Sequence, residues 1–80
     1  MKTHISTRET QVLHLIAYEN TTKEIASQLY ISHHTVMDHR KSLLRKLAAK
    51  NSAGLVRRAF ELGLMNSKIA LASTYRVQAS

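Results

Sequence analysis

Two helix-start signals, at Thr21 and Ser32, confine the middle of this chain to a pair of closely linked helices. Thr21 is followed three residues later by Glu24, the capping-box spacing in which each side chain accepts from the other residue's free backbone N–H. Ser32 is a second N-cap, since its hydroxyl can accept from the N–H of His34 or Thr35. Ile31 and Val36 flank it at hydrophobic-staple positions. The signals predict helices over 22–29 and 33–48, joined by Tyr30 to Ser32. So short a connection makes two helices cross, as in a helix-turn-helix.

The second of these helices divides into two faces. At about 100° per residue, Val36, Leu43 and Leu47 form one stripe, suited to anchoring in a core. His34, Met37, Asp38, Lys41 and Arg45 lie opposite. A solvated basic face is the ordinary reading of such a set. Here the tight turn, the two caps and the charge bias agree on DNA contact, in which phosphates supply affinity and base edges supply specificity.

Charge supports this. The chain has 80 residues, with 12 Lys plus Arg against 5 Asp plus Glu, for a net charge of +7. That balance favours a polyanion, nucleic acid first among the candidates. The length admits one small domain with a thin core. No Pro and only 2 Gly suit an all-helical fold, and the absence of Cys removes disulfides and thiolate metal sites. No apolar run approaches a membrane span of about 20 residues, and Met-Lys-Thr-His-Ile-Ser is not a signal peptide, so a cytoplasmic protein is expected.

Upstream, Ser6 with Glu9 makes another capping box and opens a helix over 7–18, with Val12, Leu13, Leu15, Ile16 and Ala17 on its apolar side. His14 among them reads as a partly exposed or hydrogen-bonded histidine. In the helix over 22–29, Ile25, Ala26 and Leu29 point to the core, and Lys23 lies in the first turn, where free N–H groups favour a phosphate. Downstream, Asn51 or Ser52 caps a helix over 52–62 that Gly63 ends. Its apolar arc is wider than a small core needs, so Leu55, Val56, Ala59 and Leu62 are expected to meet a second subunit as well as helix 1. Arg40, Lys41, Arg45, Lys46, Lys50, Arg57 and Arg58 form a block without an acid between 40 and 58, which points toward phosphate. Residues 66–80 read as a tail of undefined structure.

The five acids are scattered, and neither a carboxylate pair nor a Ser-His-Asp set is visible, so an enzyme is not expected. His33, His34 and His39 lack the i, i+4 spacing of helical metal ligands. No metal or cofactor is expected. Protonation of His34 or His39 is expected to strengthen DNA binding below about pH 6.5.

Taken together, residues 5 to 65 resemble the LuxR-type (GerE-like) helix-turn-helix domain. The residues carrying the resemblance are Ile5-Ser6-Thr7-Arg8-Glu9, Val12-Leu13-His14-Leu15-Ile16-Ala17, Lys23-Glu24-Ile25-Ala26, Ile31-Ser32, Thr35-Val36, His39, Lys46-Leu47 and Gly63-Leu64-Met65. The resemblance implies a four-helix DNA-binding domain of a bacterial transcription regulator, with the third helix in the major groove and dimerisation through the fourth. It implies backbone contacts from Lys23, Thr35, His39 and Lys46, and base-facing positions at Met37, Asp38 and Lys41. The expected DNA-contact set is Thr21, Thr22, Lys23, Ser32, His33, His34, Thr35, Met37, Asp38, His39, Lys41, Arg45 and Lys46. Two departures stand out. Met37 replaces the family's usual Lys and is followed by Asp38, leaving base preference open. Glu19 replaces the usual Gly of the first turn.

The expected organisation is a helix-turn-helix domain over 1–65 followed by the tail. The expected partners are double-stranded DNA, a second copy of the chain and RNA polymerase, whether the chain stands alone or is the output end of a longer regulator. Two alternatives compete: a promoter-binding module like sigma-factor region 4, and a protein-interaction module with a basic face.

Overall fold

The computed structural model describes residues 4–65, and among them the chain forms four helices and no strand. They are α1 (Thr7–Ala17), α2 (Thr22–Leu29), α3 (His33–Lys46) and α4 (Ser52–Glu61). The predicted tail, 66–80, lies outside the described residues.

Every helix starts at a cap that the sequence displays. Ser6 with Glu9 and Thr21 with Glu24 form complete capping boxes. The Ser32 hydroxyl accepts from the Thr35 N–H at 3.0 Å, and the Asn51 side chain accepts from the Gly54 N–H at 2.9 Å.

The helix ends share one device. Glu19 (φ 65°), Tyr30 (φ 57°), Ala48 (φ 54°) and Gly63 (φ 76°) are left-handed. After each, the next N–H reaches back past the last turn: Asn20 to the Leu15 carbonyl, Ile31 to Ala26, Ala49 to Leu44 and Leu64 to Ala59. Such closures satisfy orphan carbonyls and favour glycine. Three of these four positions carry a side chain, which makes left-handed backbone costly. Glu19 thus keeps the left-handed turn although it has a Cβ.

The core draws on all four helices. Val12, Leu13 and Ala17 of α1 meet Ile25 of α2, Val36 and Leu43 of α3, Leu47 just beyond it, Leu55 and Ala59 of α4, and Met65. The predicted anchoring stripe of α3, Val36, Leu43 and Leu47, is at most 1% exposed. Because α3 packs against α1, α2 and α4, its buried face is fixed and its other face is left outside.

Burial also corrects an expectation. Leu55 and Ala59 are wholly buried within the protomer and present no surface to a second subunit. Of the four residues expected there, Val56 is half-buried and Leu62, the C-cap, is exposed, and Phe60 of α4 is exposed as well.

Candidate nucleic-acid interface

The outward face of α3 is built by what its inward face buries. With Val36 and Leu43 in the core, His34, Met37, Asp38, Lys41 and Arg45 all stand exposed. Ser32 and His33 are exposed at the start of the helix, while Thr35 and His39 are half-buried along one flank. Among the described residues Lys41 and Arg45 make no ion pair or hydrogen bond, so both cations are available to an external anion. Asp38 has one charged neighbour, with its Oδ2 3.4 Å from His34 Nε2.

The start of α2 adds a second group. Thr21 is exposed and Thr22 half-buried. Thr21 Oγ1 accepts from Glu24 N at 3.1 Å, and Glu24 Oε1 accepts from Thr21 N at 2.7 Å. These bonds hold the exposed Glu24 carboxyl below its ordinary value, the backbone N–H contributing most. Lys23 stands exposed beside the box, among the N–H groups of the first turn. Near it an open cleft of about 480 Å³ is lined by Glu19, Asn20, Thr21, Thr22, Arg40 and Ser52 and by apolar Ile16, Ile25 and Val36.

The basic block divides into cations with internal partners and cations without. Arg40 Nη2 donates to Ser52 Oγ at 2.7 Å, joining α3 to the first residue of α4. Arg58 Nε donates to the Leu47 carbonyl at 3.1 Å, and its Nη1 lies 3.0 Å from Glu61, which also takes Arg57 at 2.8 Å. These partners hold the Glu61 carboxyl below its ordinary value, the Arg58 hydrogen bond foremost. Lys41, Arg45 and Lys50 are left without partners among the described residues.

Lys46 has an internal role that its position in the sequence does not announce. Its Nζ lies 2.8 Å from Oε1 of Glu9, a carboxylate only 5% exposed. Glu9 Oε1 also accepts from Ser6 N at 2.9 Å, and Oε2 accepts from Ser42 Oγ at 2.6 Å. Burial pushes the Glu9 carboxyl up. The bonds from Lys46, Ser42 and Ser6, together with the lysine charge, outweigh it and lower the pKa from 4.5 to about 2. One glutamate therefore caps α1 and ties it to α3.

Sequence reasoning missed the Glu9–Lys46–Ser42 network and the Arg40–Ser52 bond. Neither has a local signature, because the partners come from different helices. Which half of the apolar arc of α4 is buried has no local signature either, and Phe60 falls on the exposed side.

Two packed helices joined by a short turn, the second with an exposed face that carries Lys41 and Arg45, form the arrangement of a helix-turn-helix DNA-binding domain. The chain belongs to the luxR family of bacterial regulatory proteins, whose GerE signature matches residues 3–59. It is similar to the spore germination protein GerE of Bacillus subtilis (strain 168), 37% identical over 59 residues, which is 74% of this chain and 80% of that protein. It is similar also to the transcriptional regulatory protein MctR of Rhizobium johnstonii, 39% identical over 62 residues, 78% of this chain and 29% of that one. With the transcriptional activator protein CarR of Pectobacterium carotovorum it shares 41% identity over 63 residues, 79% of this chain and 26% of that one. The chain therefore spans most of the first relative and under a third of the other two. The family is one of transcription regulators rather than of enzymes. Among the described residues no helix is long and apolar enough to cross a membrane.

Proposed function

We propose that the chain binds double-stranded DNA sequence-specifically as a homodimer, with α3 in the major groove. The observation that carries this reading is the exposed face of His34, Met37, Asp38, Lys41 and Arg45 on a helix held by three others. In this reading Met37, Asp38 and Lys41 face base edges. Thr21, Thr22, Lys23, Ser32, His33, Thr35 and His39 line the backbone side, with Arg45 following phosphate. Lys46 reaches DNA only by sharing its ammonium with Glu9, so its principal work is internal.

The dimer surface we assign is Val56, Phe60 and Leu62. Phe60 and Leu62 are exposed large apolar side chains, 44% and 43% accessible, on and just beyond α4. Residues 1–65 act as the DNA-binding domain, in the cytoplasm, with RNA polymerase as a further candidate partner. Homodimerisation on DNA without polymerase is the outcome this reading expects.

The test is selection of bound sequences from a random duplex pool at two salt concentrations. An imperfect palindrome with half-sites about one helical turn apart supports the reading. Strongly salt-dependent binding that enriches no sequence leaves only the electrostatic attraction of a basic protein for phosphate and refutes it.

A further inference from the structure

We propose that His34 and Asp38 act as one unit that reads the major-groove edge of a single base pair, placing an amino-bearing base, cytosine foremost, beneath Asp38. The inference rests on the reading of α3 as the groove helix.

The argument begins with a misfit. Asp38 is the one carboxylate on the outward face of α3, and phosphate repels it. A carboxylate is tolerable in a groove where it meets a hydrogen-bond donor. The major-groove donors are the exocyclic amines, N4 of cytosine and N6 of adenine. Guanine O6 and N7 and thymine O4 are acceptors, which an ionised carboxylate opposes.

His34 makes the match more specific. Its Nε2 lies 3.4 Å from Asp38 Oδ2, one helical turn away, so a donor nitrogen and an acceptor oxygen stand side by side. Within a C·G pair, the cytosine amine and guanine O6 are likewise adjacent, about 2.9 Å apart as hydrogen-bond partners. The side-chain pair is thus complementary in order and close in spacing to the edge of that base pair. Asp38 accepts from the cytosine amine and His34 donates to guanine O6 or N7. An A·T pair presents the same order, with N6 and O4, but thymine offers His34 one acceptor beside a methyl group instead of two. Cytosine is therefore preferred to adenine, and both to guanine and thymine.

Both side chains are free to meet DNA, at 86% and 59% exposed. The carboxylates of the helices packed against α3 are engaged elsewhere. Glu9 of α1 holds Lys46, Glu24 of α2 closes its cap, and Glu61 of α4 takes Arg57 and Arg58. On α3 itself, Lys41 and Arg45 share the face without pairing to Asp38, and His33 and His39 make no ion pair or hydrogen bond with it.

The experiment is the duplex selection repeated with wild type, D38A, D38N, H34A and H34Q. Wild type selects cytosine over guanine about tenfold at one position of each half-site. D38A loses preference at that position alone. D38N moves it to adenine, which an amide pairs bidentately through N6 and N7. H34A weakens the preference, and H34Q, which keeps a donor, retains it. Sites identical for wild type and D38A overturn the proposal, as does guanine or thymine at the position that D38A loses. A preference as strong in H34A as in wild type overturns the role of His34. Failure of wild type to enrich any sequence refutes the groove-helix reading itself, and this proposal with it.

Discussion

The ammonium of Lys46, in the last turn of α3, lies 2.8 Å from Oε1 of Glu9 in the first turn of α1. Glu9 is nearly out of water and Lys46 partly so, which makes the pair an interior contact with one wet side. Removing one member of a buried pair is costly chiefly because the other charge is stranded.

Lys46→Ala therefore lowers unfolding free energy by about 2–3 kcal/mol, at the lower end for buried pairs because the lysine retains some exposure. Urea melting measures it. An unchanged midpoint accompanied by weaker DNA binding would reverse the assignment and make Lys46 a phosphate contact.

The same glutamate sets an acid limit. Its folded-state pKa of about 2 lies below the ordinary 4.5, so its contribution is fully present above about pH 4.5 and is lost as pH falls toward 2. The shift corresponds to about 3 kcal/mol. Between those limits wild type loses stability faster than Glu9→Gln. Parallel pH profiles for the two proteins would show that Glu9 is ionised equally in both states.

The places where sequence and structure part company follow one rule. Ser6, Thr21, Ser32 and Asn51 act on backbone within three residues, so caps and helix starts were legible. Glu9 and Lys46 are separated by 37 positions, and nothing local connects them. The two faces of α3 were legible because they differ in chemistry. On α4 the apolar residues cover both faces, so Leu55 and Ala59 could be told from Phe60 only once α1 and α3 were in place.

Turn chemistry gives a stabilising substitution. Glu19 (φ 65°) and Ala48 (φ 54°) hold a conformation that costs a side-chain-bearing residue about 1–2 kcal/mol. Glycine removes that cost but adds entropy to the unfolded chain. Glu19→Gly and Ala48→Gly should each gain about 0.5–1 kcal/mol, seen as a melting point raised by a few degrees. A lowered melting point for Glu19→Gly would mean that its side chain contributes more than its backbone costs.

The exposed face of α4 separates assembly from folding. Phe60→Glu introduces charge where the ring is 44% exposed, so the monomer keeps its helical signal and melts cooperatively. Sedimentation of the DNA complex should then show one protomer where wild type shows two. Two protomers with the variant would place the dimer contact elsewhere.

Lys41 and Lys23 test how the interface divides its labour. Lys41 stands on the outward face of α3, while Lys23 sits beside the α2 cap among N–H groups that already favour an anion. A base contact matters only on the right sequence, whereas a phosphate contact matters on every sequence. Lys41→Ala should thus weaken binding to the selected site more than binding to random duplex. Lys23→Ala should weaken both alike and reduce the slope of log affinity against log salt by about one. Titrations of both variants on both duplexes across a salt series supply the comparison. Equal losses on both duplexes for Lys41→Ala would make that lysine a charge contact, leaving base discrimination to Met37 and the His34–Asp38 pair.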